Sequence, residues 1–254
     1  MSCLAFKFDE HLQELQKEMI ARCEGLESDS GSGSGQKFKV DEWNRESGEG
    51  FGRTCVIEGG KLFEKAAINI SIIKDVLSEE RARAMSERGR SGVKSQGGQR
   101  YEAEALSLVF HPQNPMVPTL RADVRRFKVG DNVWYGGGCD ITPVYLFDED
   151  ARQFHRYWKS MCDAYSDDIY GNFKAWCDRY FYIPARKEHR GVGGLFFDDL
   201  EKQECSYDVE KFVEDFSSGI LQSWVPLAEA RNQQTYTAEE KEWQLIRRGR
   251  YIEL

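Results

Sequence analysis

Histidine is scarce in this chain. There are four in 254 residues (His11, His111, His155 and His189), with no HxH or HExxH spacing among them. A metal centre assembled from sequence-local imidazoles therefore has no support. Paired cysteines are also missing: the seven thiols are scattered and odd in number and include no CxxC, which argues against a disulfide framework and against a zinc knuckle. That usage suits a reducing compartment. No apolar run approaches the roughly 18 residues needed to cross a bilayer. Acids at Asp9 and Glu10 come too early for a secretory or transit peptide. Both points make a cytoplasmic location and no transmembrane segment the expectation. Positive charge is in short supply as well, with 35 Lys and Arg against 43 Asp and Glu. A nucleic-acid backbone binder would lean basic, so an anionic ligand here must be captured by a local group of arginines. RGVGGLFFDDL lacks both the Walker lysine and the GxGxxG spacing, which excludes it as a phosphate cradle.

What the chain does have is a sizeable apolar fraction, 40% of its residues, with aromatics making up 13% of the chain, enough for a large core. FDEHLQELQKEMIARCEGL patterns as an amphipathic helix, with Asp9 as its cap and Leu12, Leu15, Met19, Cys23 and Leu26 as its apolar stripe. ESDSGSGSGQ follows as a linker, so residues 1–37 are read as an N-terminal helix plus linker, and order resumes near Phe38. RTCVIEGGKLFEKAAINISII suggests two strands turning at Gly59-Gly60. A short helix at SEERARAMSERG and a Gly/Ser loop lead to strands containing Ser107 and the arginine cluster, joined by HPQNPMVPT. NVWYGGG and DITPVYL are predicted as two further strands. Asp148 is placed as the cap of a helix bearing Phe154, Trp158, Met161 and Tyr165. NFKAWCDRYFY is predicted to bury Phe173, Trp176, Cys177 and Tyr180. GVGGLFFDDL returns to strand, and VEKFVEDFSSGILQSW and TAEEKEWQLIRRG close the series as helices, the latter with a Thr237/Glu240 capping box and Gly249 as its stop. RYIEL is read as the start of a strand. Strands in runs, rather than in βαβ alternation, favour α+β with a large antiparallel sheet flanked by helices on both faces.

Strand periodicity of two then groups the polar residues. In YEAEALSLVFH it puts Ser107 and His111 on one face, opposite Leu106, Leu108 and Phe110. In TLRADVRRF it puts Arg121, Asp123 and Arg125 together, with Ala122 and Val124 behind them. Arginine's planar fork donates two parallel hydrogen bonds to a carboxylate, so this set resembles a carboxylate clamp. A solvated, salt-bridged strand face would have the same composition. GGGCD, ending in Asp140, lets backbone approach a flat ligand beside Trp134 and Tyr135, although a sharp turn between strands would use the same glycines. Of Asp198 and Asp199 at most one is expected at any site, since neighbours on a strand point to opposite faces.

SLVFHPQNPMVPT, ADVRRF, WYGGGCDITPVY, FKAWCDRYFYIPARKEHRGVGGLFFDDL and EWQLIRRGRYIE together resemble the oxygen-dependent coproporphyrinogen III oxidase family, from about Gly60 onward. The resemblance implies an enzyme of haem biosynthesis that converts two propionates of coproporphyrinogen III to vinyl groups, giving protoporphyrinogen IX. It further implies a homodimer with dioxygen as co-substrate and no required cofactor or metal. By that likeness Asp140 would meet the pyrrole N–H groups and, with Arg121, form the catalytic pair. Ser107, His111, Asp123, Val124 and Arg125 would bind substrate, with Arg125 on a propionate. Residues 38–254 would be a single catalytic domain lacking its C-terminal part.

Three departures from the family pattern modify this. Arg121 stands where relatives carry a histidine regarded as a proton donor, and Asp123 stands where they carry asparagine. Arginine, with a pKa above 12, is a poor general acid at neutral pH, so Arg121 is expected to neutralise a carboxylate. Ala185 occupies a place that is commonly histidine, leaving His111 and His155 of four proposed metal ligands. The alternatives are a porphyrin-binding protein without catalysis, or a metal-dependent hydrolase using His111, His155 and an aspartate.

Overall fold

The computed structural model describes residues 6–29, 35–46, 49–87 and 92–250. Its frame is a seven-stranded antiparallel sheet in the order β1 (Lys39–Asn44), β2 (Glu49–Glu58), β3 (Phe63–Val76), β4 (Arg100–Pro112), β5 (Thr119–Val129), β6 (Asn132–Thr142), β9 (Gly193–Leu200). The first six strands pair in chain order, and a two-stranded hairpin, β7 (Tyr182–Ile183) with β8 (Glu188–His189), precedes the last. The α+β expectation holds, with helices on both faces.

One face is the main core. Leu106, Leu108, Phe110, Leu120, Ala122 and Val124 of β4 and β5 face α1 (Phe8–Asp29) and α5 (Val209–Arg231), and α3 (Asp148–Asp163) completes the same core against α5 and β9. Aromatic side chains fill it: Phe63, Phe110 and Trp224 interlock with centroids 5.2 to 6.0 Å apart, and Phe197, Phe212 and Phe216 interlock at the β9 end with centroids 4.9 to 6.3 Å apart. Burying side chains of this size supplies about 1.5–3 kcal/mol each, which is why the sheet needs only one fully covered face. Two polar groups lock α1 onto it. The buried Gln16 amide donates to the carbonyls of Arg53 (3.1 Å) and Ile68 (2.9 Å). The Glu27 carboxylate accepts the backbone N–H groups of Lys61, Leu62 and Phe63, just past the Gly59-Gly60 turn.

Among the described residues, the opposite face is covered only at its ends. α2 (Glu79–Glu87) closes one end over Tyr101, Val129 and Trp134. α6 (Ala238–Gly249) closes the other, with Gln244 donating to the Pro112 carbonyl at 3.0 Å and Lys241 paired with Glu64 at 2.6 Å. α4 (Ile169–Tyr180) flanks β9, where Tyr180 stacks on Phe196 at 4.3 Å.

Several local expectations change. GGGCD is no turn: Gly136, Gly137 and Gly138 sit inside one continuous β6, because a Cβ on Gly137 would lie 2.8 Å from the Phe197 ring and 2.9 Å from the Asp123 carbonyl oxygen. Asp9 lies in the first turn of α1 rather than capping it. Asp148 is likewise the first residue of α3, whose cap position is Phe147. Tyr180 is 56% exposed rather than buried, because its ring covers Phe196 from outside. The Thr237/Glu240 capping box is present, and α6 ends at Gly249. Of the segment read as a linker, Glu27, Ser28 and Asp29 belong to α1 and residues 30–34 lie outside the described residues, as does the strand expected after Arg250.

Candidate active site

Register and alternation build the site. On the uncovered face Ser107 pairs with Asp123, which pairs with Gly138. Ala105, Arg125 and Gly136 form the next row, and Val109, Arg121 and Asp140 the row on the other side. Ser107, Arg121, Asp123, Arg125 and Asp140 are therefore brought to one region of that face.

The clamp is already engaged internally. Asp123 lies between the two arginines, on Nη1 of Arg125 and 3.5 Å from Nη2 of Arg121. Arg125 also reaches Asp198 at 3.2 Å, and its guanidinium stands 5.8 Å from the Phe196 ring centroid. Arg121 donates further to the Leu108 carbonyl at 3.4 Å and to the Ala122 carbonyl. These side chains are half-buried, so the pairs are solvent-screened and exchangeable rather than locked. Arg125 borders a cleft of about 540 Å³ that runs towards α2 past Ser71, Ala105, Trp134 and Gly136. Gly136 matters here: a Cβ at that position would lie 2.5 Å from Asp198 Oδ1 and 2.7 Å from Arg125 Nε.

Asp198 was reachable from the sequence only as half of an acid doublet. Both members border the cleft because Asp199 adopts φ +62° beside a register shift between Tyr135 and Gly137, which suspends strand alternation.

Asp140 is the most enclosed of the set. It is 3% exposed, and Nη2 of Arg190 spans its carboxylate at 2.7 Å (Oδ1) and 2.6 Å (Oδ2). Burial raises its pKa above the usual carboxylate value, with Arg190 and Arg121 opposing. Arg190 was not singled out in the sequence; a lone arginine between His189 and Gly191 carries no local signal.

Two expected residues fall elsewhere. Val124 is fully buried in the core on the opposite face, so its side chain cannot meet a ligand beside Arg125. His111 lies four residues beyond Ser107, about 13 Å along the strand. There it borders a hollow of about 20 Å³ beneath α6, lined also by Thr119, Thr142 and Arg248. Its pKa is lowered to about 4 by burial and then by Arg248. His155 has both ring nitrogens engaged, Nε2 with the Val192 carbonyl at 3.0 Å and Nδ1 with the Tyr170 hydroxyl at 3.1 Å. Among the described residues no three His, Cys, Asp or Glu side chains are grouped as a metal site, and no helix is long and apolar enough to cross a membrane.

The family model described as Coproporphyrinogen III oxidase matches residues 7–254, beginning well before the Gly60 boundary drawn from motifs. A rat protein named oxygen-dependent coproporphyrinogen-III oxidase, mitochondrial, is 44% identical over 221 residues, covering 85% of this chain and 49% of its own length. The Drosophila melanogaster oxygen-dependent coproporphyrinogen-III oxidase is 41% identical over 249 residues, 95% of this chain and 61% of its own. Coproporphyrinogen-III oxidase 1, chloroplastic, of Arabidopsis thaliana is 38% identical, covering 91% of this chain and 60% of that protein. The chain thus spans about half to three-fifths of the length of these curated relatives.

Proposed function

This chain belongs to the coproporphyrinogen III oxidase family, and from that membership we propose that it acts in haem biosynthesis as an oxygen-dependent oxidase. Its substrate is coproporphyrinogen III, of which two propionates become vinyl groups, giving protoporphyrinogen IX. The observation that carries the reading is the Arg121–Asp123–Arg125 row on an uncovered sheet face, beside Ser107 and a strand whose glycines leave the floor flat.

In this reading Arg125 and Arg121 hold propionates, exchanging Asp123 and Asp198 for substrate carboxylates. The Ser107 hydroxyl supplies an adjacent hydrogen bond, and Asp140 faces the pyrrole N–H groups once it is accessible. A carboxylate at a pyrrole nitrogen withdraws a proton and enriches the ring for reaction with dioxygen. Each propionate then loses carbon dioxide, one β-hydrogen as a proton and two electrons, and dioxygen takes up the two electrons with two protons to leave as hydrogen peroxide. The electron-rich tetrapyrrole is itself the reductant, so the reaction as proposed calls for no bound cofactor or metal. We place the protein in the cytoplasm as a homodimer; its described cysteines are all free thiols, in keeping with a reducing compartment. No observation favours a binding protein without catalysis.

Incubating the purified protein with coproporphyrinogen III in air should yield the divinyl product, detected by mass after oxidation to the porphyrin. The same mixture without dioxygen should yield none. Product formed anaerobically, or none in air, would overturn the assignment.

A further inference from the structure

The Arg190 guanidinium decides whether Asp140 can touch anything beyond the protein. Both side chains are almost fully enclosed, at 4% and 3% exposure. A single nitrogen, Nη2, serves both carboxylate oxygens. The guanidinium carbon lies 3.6 Å from the Phe181 ring centroid, and the Arg190 backbone N–H donates to the Phe181 carbonyl at 3.0 Å. A neutral residue therefore holds the cation from below, and that hold is indifferent to which anion sits at its edge.

The two partners ride on different parts of the fold. Asp140 is fixed on β6, in register with Arg121 of β5 on one side and Gly194 of the edge strand β9 on the other. Arg190 leaves the small β7–β8 hairpin, whose Glu188 is tied to the end of α6 through Arg247 (3.3 Å) and Arg250 (2.8 Å). Arg190 lies between β8 and β9, outside the paired strands, so moving its side chain off Asp140 breaks no strand pairing. Each acid of the floor, Asp123 and Asp140, is thus a resident carboxylate on an arginine.

We infer that the Asp140–Arg190 pair is a carboxylate-exchange gate: a carboxylate of a polyanionic ligand takes the place of Asp140 on Arg190, and Asp140 is released towards the ligand's ring. The inference rests on the tetrapyrrole reading above. Exchange replaces one charge-assisted pair on Arg190 by another of the same kind, and the released Asp140 carboxylate is met by the ring N–H groups and by the charge of Arg121, its register partner. An uncharged ring could not open the gate, because it would strand the Arg190 cation. Arg190 is then a ligand-binding residue for a carboxylate and a positioning residue for Asp140.

The test is equilibrium binding of coproporphyrin III, the unreactive oxidised tetracarboxylate, followed by fluorescence. Asp140→Asn keeps the shape and removes the competing anion, so it should tighten binding by about three- to tenfold, the equivalent of one hydrogen bond. Arg190→Gln should weaken binding by a similar factor. Arg190→Lys should also weaken it, because lysine keeps the charge without the two-pronged fork. A pair with a purely structural role would weaken binding in every variant. Equal or weaker binding by a folded Asp140→Asn protein therefore overturns the gate. Should that variant fail to fold, Arg190→Lys decides, and unchanged affinity there overturns it. Failure of the unmodified protein to bind coproporphyrin III sinks the tetrapyrrole reading itself and the gate with it.

Discussion

The two faces of the central strands alternate residue by residue, yet they obey opposite rules. Val124 is sealed among aromatics, while Arg125, the next residue, stands at a cleft in a partly solvated ion network. Gly137 faces the core, where its missing Cβ is demanded by Phe197 and by the Asp123 backbone. Gly136 faces the cleft, where the space is taken by the movable ends of Asp198 and Arg125. The core face fixes the position of every Cα to a fraction of an ångström, because close-packed interiors transmit any misfit. The other face uses that rigidity to hold charges which are free to change partner.

Substitutions on each side should separate stability from binding. The largest effect belongs to Trp224, which stacks on Phe63 and donates Nε1–H to the Pro118 carbonyl at 2.8 Å. Trp224→Ala should destabilise the protein by about 3–5 kcal/mol, seen as a large drop in denaturation midpoint. Arg125→Ala should leave the midpoint nearly unchanged and weaken coproporphyrin III binding by roughly 1.5–3 kcal/mol. Equal affinity would remove Arg125 from the site.

The glycine pair sharpens the contrast further. Gly137→Ala should lower stability by about 1–3 kcal/mol through overpacking against Phe197 and backbone. Gly136→Ala should spare stability and disturb binding, since the atoms in its way are side-chain ends. If both variants lose stability alike, the two faces are not independent. A separate effect is a pH dependence. His111 has a folded pKa near 4, below its usual 6.5, so the unfolded chain takes up its proton first as the pH falls. Stability contributed by neutral His111 is complete above about 6.5 and is lost between there and about 4. His111→Gln should flatten that part of a stability–pH curve, while leaving coproporphyrin III affinity unchanged if the histidine lies outside the cleft.

Much of this was legible from periodicity. Alternation placed Ser107, Arg121, Asp123 and Arg125 on one side and Leu106, Leu108 and Val124 on the other, because a half-buried strand must put every second residue in the core. The Thr237/Glu240 box was readable because both of its bonds are local. Where the reading failed, the cause lay outside the segment. The triple glycine resembled a turn until Phe197 and Phe216 filled the space above it. Asp198 and Asp199 were split between faces until a left-handed residue and a register shift rejoined them. His111 shared a face with Ser107 but not a site, since α6 lies over its end of the strand.

The amino-acid order alone determined the strand periods, the apolar stripes and the gathering of arginines and acids on one surface, all consequences of fixed backbone repeats. Only the folded chain decided that Arg190, fifty positions from Asp140, closes over it, and that the clamp arginines begin engaged with Asp123 and Asp198. Contacts between segments distant in sequence depend on how sheets and helices pack, and no local pattern encodes which cation will neutralise a buried acid.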